Sequence, residues 1–326
     1  MRALVQPAYG PPDVLRFEDV PPPPVGDDAV RVRIRAVSLN FGDRMMLLGR
    51  PTLLRPFVYG PGRPRKRVVG HDGAGVVEAV GAKVTRFAPG DAVFGEMSSG
   101  TCAELAVAAE GRLAIKPDGM GFAQAATLPI AGITALEGLR DAGRVSAGKK
   151  VLVNGASGSV GTFAIQVATA LGAEVTAVCS GRNAAQARAL GAVEVIDYTQ
   201  QDYTRGDPRF DVVFDLVGNH RLSERRRVLK LDGIYVASFG QGGGALLGPL
   251  GRIAQVAIRS IAAPKRLTVF AATPGSSEDL AQLARWVEEG ALTPVIEKTV
   301  PFDEAIEAFR DLVGGHARGK RVITMP

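Results

Sequence analysis

Residues 149–172, KKVLVNGASGSVGTFAIQVATALG, narrow the possible folds more than any other stretch of the chain. Val151, Leu152 and Val153 make an apolar run of the length of a buried parallel strand. The run breaks into a glycine turn: Gly155, Ala156, Ser157, Gly158, Ser159, Val160, Gly161. Beyond it Val160, Ala164, Val167, Ala168 and Leu171 recur at helical spacing, and Gly172 stands where a helix stops. Strand, glycine turn and helix in that order are the parts of a dinucleotide site. The turn lets backbone approach a pyrophosphate, and the helix N-terminus offers it unpaired N–H groups and partial positive charge. The spacing G-x-x-G-x-x-G is weak alone. A second strand over 174–179, a helix over 184–190 and a third strand over 193–196 supply the βαβ context. A βαβ unit without a ligand has little use for three glycines in one turn, since each costs backbone entropy.

The rest of the chain arranges itself around this unit. The first 120 residues read as short strands between turns, over 1–5, 29–37, 68–80, 91–94, 103–107 and 113–115, with an extended Pro21–Pro24 connector. In the second of these, Val30, Val32, Ile34 and Ala36 alternate with Arg31, Arg33 and Arg35, as on a half-buried strand. From Phe122 helices (123–126 and 132–140) lead into the alternation, and strands at 211–216, 233–238 and 267–272 extend it to six. The glycine-rich stretch 240–251 reads either as a lid or as a long surface loop. A helix over 278–290 is followed by a strand (295–300), a helix (303–312) and a strand (321–325), whose texture returns to the first domain. The expected fold class is α/β: a β-rich domain from 1–122 and 293–326, and a doubly wound parallel sheet from 123–292.

Composition narrows the setting. At 326 residues the chain suits two domains, and 46% hydrophobic with 22% charged residues describes an ordinary globular protein. No 18-residue apolar run marks a membrane span, and MRALVQPAYGPP lacks the apolar core of a secretory signal. Cys102 and Cys179 are too few for a disulfide framework or a cysteine-based metal site, so a reducing cytoplasm is expected. The net charge of +6 includes clusters at 63–67 and 225–227. Without nucleic-acid motifs or interleaved aromatics they read as solvated basic surface, with an anionic partner as the alternative.

Several motifs in one order resemble the medium-chain dehydrogenase/reductase superfamily, specifically its zinc-independent quinone oxidoreductase branch. They are SLNFGD (38–43), GHDGAGVVEAVG (70–81), PGDAVFG (89–95), GTCAELAV (100–107), LPIAGITAL (128–136), the glycine turn, GAVEVIDY (191–198) and FDVVFDLVG (210–218). The tail GHARGKRVI (315–323) is similar to the reticulon-interacting NADPH oxidoreductases and their bacterial relatives. The resemblance implies a GroES-like catalytic domain beside a Rossmann domain, and a homodimer. It places Asn40, Asp43, His71 and Thr134 at the nicotinamide end of the site. Asn40 and Thr134 also count as cofactor contacts, with Val217, Phe239, Phe270, Ala271, Ala272, Arg318 and Lys320. Zinc-dependent relatives hold their metal with Cys, His and usually a second Cys. The matching positions are Asn40, His71 and Ile130, so no metal is expected.

The second strand ends VCSGRN, without the acid that binds the ribose hydroxyls of NAD. Ser180 and Arg182 suit a 2′-phosphate instead, and Tyr198 matches a tyrosine that often lines this pocket in quinone reductases, so NADPH is the expected cofactor. Asn183 stands where relatives often carry lysine. Without a metal to polarise a carbonyl, hydride must go to an acceptor already electron-poor, a quinone or an activated C=C bond. Mitochondrial enoyl-thioester reductases carry a tyrosine where this chain has Pro51; Tyr59 is the nearest replacement, and His71 or solvent are alternative proton sources. The segment 47–69 reads as a solvated loop, with access for an anionic or bulky substrate as its functional alternative. Two rival functions stay open: an enoyl-thioester or natural-product ene reductase, and a non-catalytic NADPH-binding sensor or nucleic-acid-binding protein.

Overall fold

The computed structural model describes residues 1–207, 209–238, 244–262, 267–270, 275–315 and 318–326, and the side chains of all these except 261 and 262. The chain separates into two compact units. Unit 1 comprises Met1–Ile133, Pro274–Gly290 and Ile296–Pro326; unit 2 comprises Thr134–Thr273 and Ala291–Val295.

Unit 1 begins with β1 (Arg2–Val5) paired antiparallel to β2 (Arg16–Asp19). Next comes β3 (Ala29–Leu39), whose arginines face outward while Val30, Val32 and Ile34 are buried; from Ala36 onward both faces are covered. Helix α1 (Phe41–Leu48) follows directly and ends at Gly49 in the left-handed region, φ 56°. Strands β4 (Asp72–Val80), β5 (Ala92–Glu96), β6 (Leu105–Ala109) and β7 (Leu113–Ile115) come next, then helices α2 (Phe122–Ala125) and α3 (Pro129–Glu137).

In unit 2 the strands are β8 (Lys150–Asn154), β9 (Glu174–Cys179), β10 (Ala192–Asp197), β11 (Phe210–Asp215), β12 (Leu229–Ala237) and β13 (Leu267–Val269). Helices α4 (Ser159–Ala170), α5 (Ala184–Ala189), α6 (Leu222–Arg227), α7 (Gly244–Leu247) and α8 (Leu250–Ala262) connect them. All strand pairs are parallel in the order β10-β9-β8-β11-β12-β13. This is the doubly wound order, with its reversal between β8 and β11, and ligands of such sheets bind beyond the strand ends at that reversal. Coverage on both faces explains the unbroken apolar runs of β8 and β11.

The chain then returns to unit 1. Helix α9 (Ser277–Glu288) is capped by the Ser276 hydroxyl, which accepts from the Asp279 N–H at 3.1 Å. Strand β14 (Ile296–Pro301), helix α10 (Ala305–Gly314) and strand β15 (Lys320–Thr324) complete the seven-stranded sheet, ordered β14-β15-β3-β4-β5-β7 with β6 also on β3. A buried cluster including Val30, Ile34, Leu39, Phe302, Phe309 and Ile323 joins the first and last segments.

The expected α/β class and its two parts are present. The division by contacts differs from the expected 122/123 and 292/293 boundaries: unit 1 runs to Ile133 and includes α9. Arg86 Nη1 donates to Ser277 Oγ at 2.6 Å, and a Cβ on Gly132 would lie 2.8 Å from Leu283 Cδ1, so α9 packs within unit 1. Sequence patterning missed β2, α1 and α8. Of the expected lid or loop at 240–251, residues 240–243 lie outside the described residues, while Gly244–Leu247 is helical and α8 starts at Leu250.

Candidate active site

In unit 1, four residues from three distant parts of the chain meet where β3, β4 and β15 run side by side. The register sets Ser38 opposite Asp72 and Arg321 opposite Leu39, which brings Asn40, His71, Asp72 and Lys320 together. Asp43, in the first turn of α1, receives the Asn40 backbone N–H on Oδ2 at 2.7 Å. Its Oδ1 lies 2.7 Å from His71 Nδ1. An ionised Asp43 makes Nδ1 the donor and leaves Nε2 as the second, separate position of the imidazole. Burial pulls the His71 pKa down, but the hydrogen bond and charge of Asp43 overturn this and leave it above the ordinary value of 6.5; Lys66 opposes and Glu96 assists. A cavity of about 20 Å³ lies beside the pair, lined by Gln6, Asp43, Met46, Lys66, Val68, Val69, Gly70 and His71. It has room for roughly one water.

The Asn40 side chain does not cap α1. Its Nδ2 donates to Asp72 Oδ2 at 2.8 Å, and its Oδ1 accepts from Lys320 Nζ at 2.5 Å. Asp72 also accepts from the Ile130 backbone N–H at 3.2 Å, and its Oδ2 lies 3.7 Å from Lys320 Nζ. Both side chains are fully buried. Burial pushes the Asp72 carboxyl up, to about 7, and the Lys320 ammonium down; their mutual attraction works against both shifts. Lys320 therefore spends its ammonium inside unit 1, on Asn40 and Asp72, rather than presenting it to a cofactor. Arg318 is exposed, and Thr134 is 8% exposed within α3.

In unit 2 the glycine turn has the expected form. Gly155 adopts φ 90°, and the N–H groups of Gly155 and Ala156 donate to the Val178 carbonyl at 3.2 and 3.1 Å. A Cβ on Gly161 would lie 2.2 Å from the Gly155 oxygen, so that glycine is required by the turn itself. Gly158 differs: it is the N-cap of α4, and a Cβ there would meet only the Gly155 oxygen, at 3.5 Å. No side chain caps α4, and space stands open at its first turn, a cradle that fits a pyrophosphate. Ser157, Ser159 and Val160 are half-buried around it.

Ser180 and Arg182 flank the short turn after β9. Arg182 is exposed without an ion pair among the described residues, and Tyr198 is 56% exposed. Asp197, which sequence reasoning did not single out, braces this turn. Backbone and side-chain hydrogen bonds from Thr199 hold its carboxyl below the usual range, and a Cβ on Gly181 would lie 2.5 Å from its Oδ2. Val217 and Phe270 are half-buried; Phe239, Ala271 and Ala272 lie outside the described residues.

Sequence reasoning also missed Asp215, at the end of β11. Its Oδ1 accepts from Asn154 Nδ2 (2.8 Å), Val217 N (3.0 Å) and Gly218 N (2.9 Å). Its Oδ2 accepts from Arg225 Nη1 (3.0 Å) and the Tyr235 hydroxyl (2.7 Å). The carboxylate thereby folds the 216–218 turn back at the sheet reversal, where the Val217 side chain approaches Gly155: a Cβ there would lie 2.8 Å from Val217 Cγ2. This corrects the reading of 225–227 as solvated surface, because the Arg225 side chain is 2% exposed and ion-paired; only Arg226 and Arg227 face solvent. The available signal was an acid at the end of the apolar run FDVVFD.

A doubly wound sheet with an open glycine cradle at the head of α4, and a β-rich unit holding a half-buried histidine on a buried aspartate, define a dinucleotide-binding oxidoreductase. Residues 26–138 match the family described as alcohol dehydrogenase GroES-like domain, and residues 190–323 that described as zinc-binding dehydrogenase. The chain is 35% identical to a quinone oxidoreductase of Pseudomonas aeruginosa, covering 97% of each. It is 32% identical to a 2-methylene-furan-3-one reductase of Solanum lycopersicum, over 99% of this chain and 79% of that one. Its fold is similar to that of the Escherichia coli quinone oxidoreductase complexed with NADPH, with TM-score 0.81 and 25% identity over 99% and 100% of the chains. The chain belongs to the medium-chain dehydrogenase/reductase superfamily, with quinone oxidoreductases among its relatives.

Zinc, carried in one family description, does not fit the donor set. The Asn40 amide is committed to Asp72 and Lys320, His71 Nδ1 to Asp43, and Ile130 offers no donor atom. Among the described residues no group of three or more His, Cys, Asp or Glu can hold a metal ion. No helix among them is long and apolar enough to cross a membrane.

Proposed function

We propose that this protein is an NADPH-dependent reductase that delivers hydride to a quinone or an α,β-unsaturated carbonyl without a metal. The observation that carries the proposal is the Asn40–His71–Ile130 set: its one imidazole is already oriented by Asp43, and its neighbours cannot complete a Lewis-acid site. An acceptor for such an enzyme must be electron-poor before it binds. When bound, NADPH supplies the hydride. Gly155, Gly158 and Gly161 with the head of α4 would cradle its pyrophosphate, and Ser180 and Arg182 its 2′-phosphate. In unit 1, Asp43 holds His71 as a proton donor through Nε2 for the carbon or oxygen left anionic by reduction.

The names of the relatives, a quinone oxidoreductase and a 2-methylene-furan-3-one reductase, support both acceptor classes. Asn40 and Thr134 would contact the nicotinamide end, and Val217 and Phe270 the nucleotide. The family resemblance and the scarcity of cysteines support a cytoplasmic homodimer, which light scattering coupled to gel filtration tests.

The deciding experiment follows NADPH and NADH oxidation with 1,4-benzoquinone, 9,10-phenanthrenequinone, an enone and crotonyl-CoA, for the wild type and Arg182→Ala. Quinone or enone turnover that prefers NADPH is expected. One charge-assisted hydrogen bond of about 1.5–3 kcal/mol makes the preference roughly ten- to a hundredfold, and Arg182→Ala should remove it. Turnover of the thioester alone would move the protein to the enoyl reductases. Tight NADPH binding with no turnover would favour a sensor.

A further inference from the structure

The segment between α1 and β4 holds a cleft that the reduction of a neutral quinone does not require. No aspartate or glutamate occurs between Asp43 and Asp72, whereas Arg44, Arg50, Arg55, Arg63, Arg65, Lys66 and Arg67 do. After two short helical turns (Thr52–Leu54 and Arg55–Tyr59), the chain breaks at Gly60 and runs on through Arg63-Pro64-Arg65-Lys66-Arg67. The three alternate arginines, with Pro7, line one cleft of about 320 Å³. Alternate residues of an extended chain stand about 6.6 Å apart, a spacing that lets adjacent guanidinium groups share one phosphate or span two.

The arginines are held differently. Arg65 is fixed in place, with Nη1 and Nη2 donating to the carbonyls of Phe57 (2.9 Å) and Pro56 (2.8 Å). Arg67 donates to Glu18, which also pairs with Arg16, while Arg63 is exposed and carries no ion pair among the described residues. Of the three guanidinium groups only Arg67 meets a carboxylate among the described residues, and it shares that one with Arg16. A volume of about 320 Å³ is at the small end of ligand sites, and a wall of guanidinium suits a phosphate headgroup far better than an apolar ring. The cleft is also tied to the His–Asp pair: Arg67 and His71 are four positions apart, a reach of at most about 14 Å, and Lys66 lines the cavity beside His71.

We propose that Arg63, Arg65 and Arg67 form a phosphate-binding subsite that anchors an acceptor bearing a phosphate or diphosphate group near His71. The proposal rests on the reductase reading, and it changes the preferred acceptor from a bare quinone or enone to one with a phosphorylated handle.

The test compares crotonyl-CoA with the crotonyl N-acetylcysteamine thioester, which has the same reacting group and no phosphate. The wild type and Arg63→Ser/Arg67→Ser are used; Arg65 is kept because it ties down the 56–57 turn. A KM at least tenfold lower for the CoA ester is expected in the wild type, and the ratio should fall to near one in the variant. Equal KM values in the wild type, or a ratio that the variant leaves unchanged, would overturn the subsite. Calorimetric titration of inorganic pyrophosphate into enzyme saturated with NADP⁺ reads the cleft without any turnover. A Kd raised at least tenfold by the double variant supports the site even if every acceptor fails, whereas binding that is absent or indifferent to the variant refutes it.

Discussion

Asp72 and Lys320 are both fully buried, and Lys320 is the cation that offsets Asp72, so neither is replaceable alone. Lys320→Met should destabilise unit 1 by about 3–5 kcal/mol by leaving a buried carboxylate uncompensated, and adding Asp72→Leu should recover most of that loss. Urea unfolding of the single and double variants measures it; a single variant as stable as the wild type would contradict the pairing. The His71 pKa is raised, so its ion pair with Asp43 contributes fully below about pH 6.5 and loses that contribution as pH rises through the folded-state value. Stability measured from pH 5 to 9 should show this fall in the wild type and not in Asp43→Asn. The proximity of Asn40, Asp43 and His71 was legible in the sequence because their motifs place them together. The inward turn of Lys320 and the burial of Arg225 were not, because both depend on partners that only tertiary register supplies.

Among the elements, the glycine turn separates two demands that a motif merges. Gly161 is needed by the fold, since a Cβ would strike the Gly155 oxygen; Gly161→Ala should cost about 1–3 kcal/mol of stability. Gly158 meets no such demand from the fold, and its expected use is the approach of a ligand. Gly158→Ala should cost less than about 1 kcal/mol, the range of a changed N-cap, yet raise the NADPH Kd at least tenfold. Thermal unfolding beside a fluorescence titration distinguishes the two, and unchanged NADPH affinity would mean that the nucleotide does not approach Gly158 closely. Strands such as β7 and β9 were readable to the residue because their apolar runs end at clear turns. β2 was hidden by its charges, Arg16, Glu18 and Asp19. α1 was hidden by its shortness, although an Asn with Asp three residues on is a start signal. α8 was masked by the glycine-rich stretch ahead of it.

For the molecule as a whole, the discontinuity of unit 1 is the governing fact. Strand β15 lies between β14 and β3 in the sheet, and it carries Lys320. Removing residues 320–326 should abolish hydrogen-exchange protection in β3 and β4, while amides of β8 and β11 in unit 2 stay protected. Equal loss in both sheets would show that the units do not unfold separately. The return of the C-terminal texture to the first domain was legible from composition. The place of α9 was not, because its membership rests on particular contacts such as Arg86 with Ser277.

That same discontinuity gives the order of synthesis a physical meaning. Asn40 leaves the ribosome 280 residues ahead of the lysine it will bond. At about 5–20 residues per second the wait is roughly 15–60 s. By its end every strand of the nucleotide-binding sheet has emerged, while β4 still carries the Asp72 carboxylate with no Lys320 to meet it. A polypeptide released before β15 would hold every strand of the parallel sheet and, in unit 1, an unneutralised Asp72. The last strand made is thus the one that neutralises the core of the first domain begun.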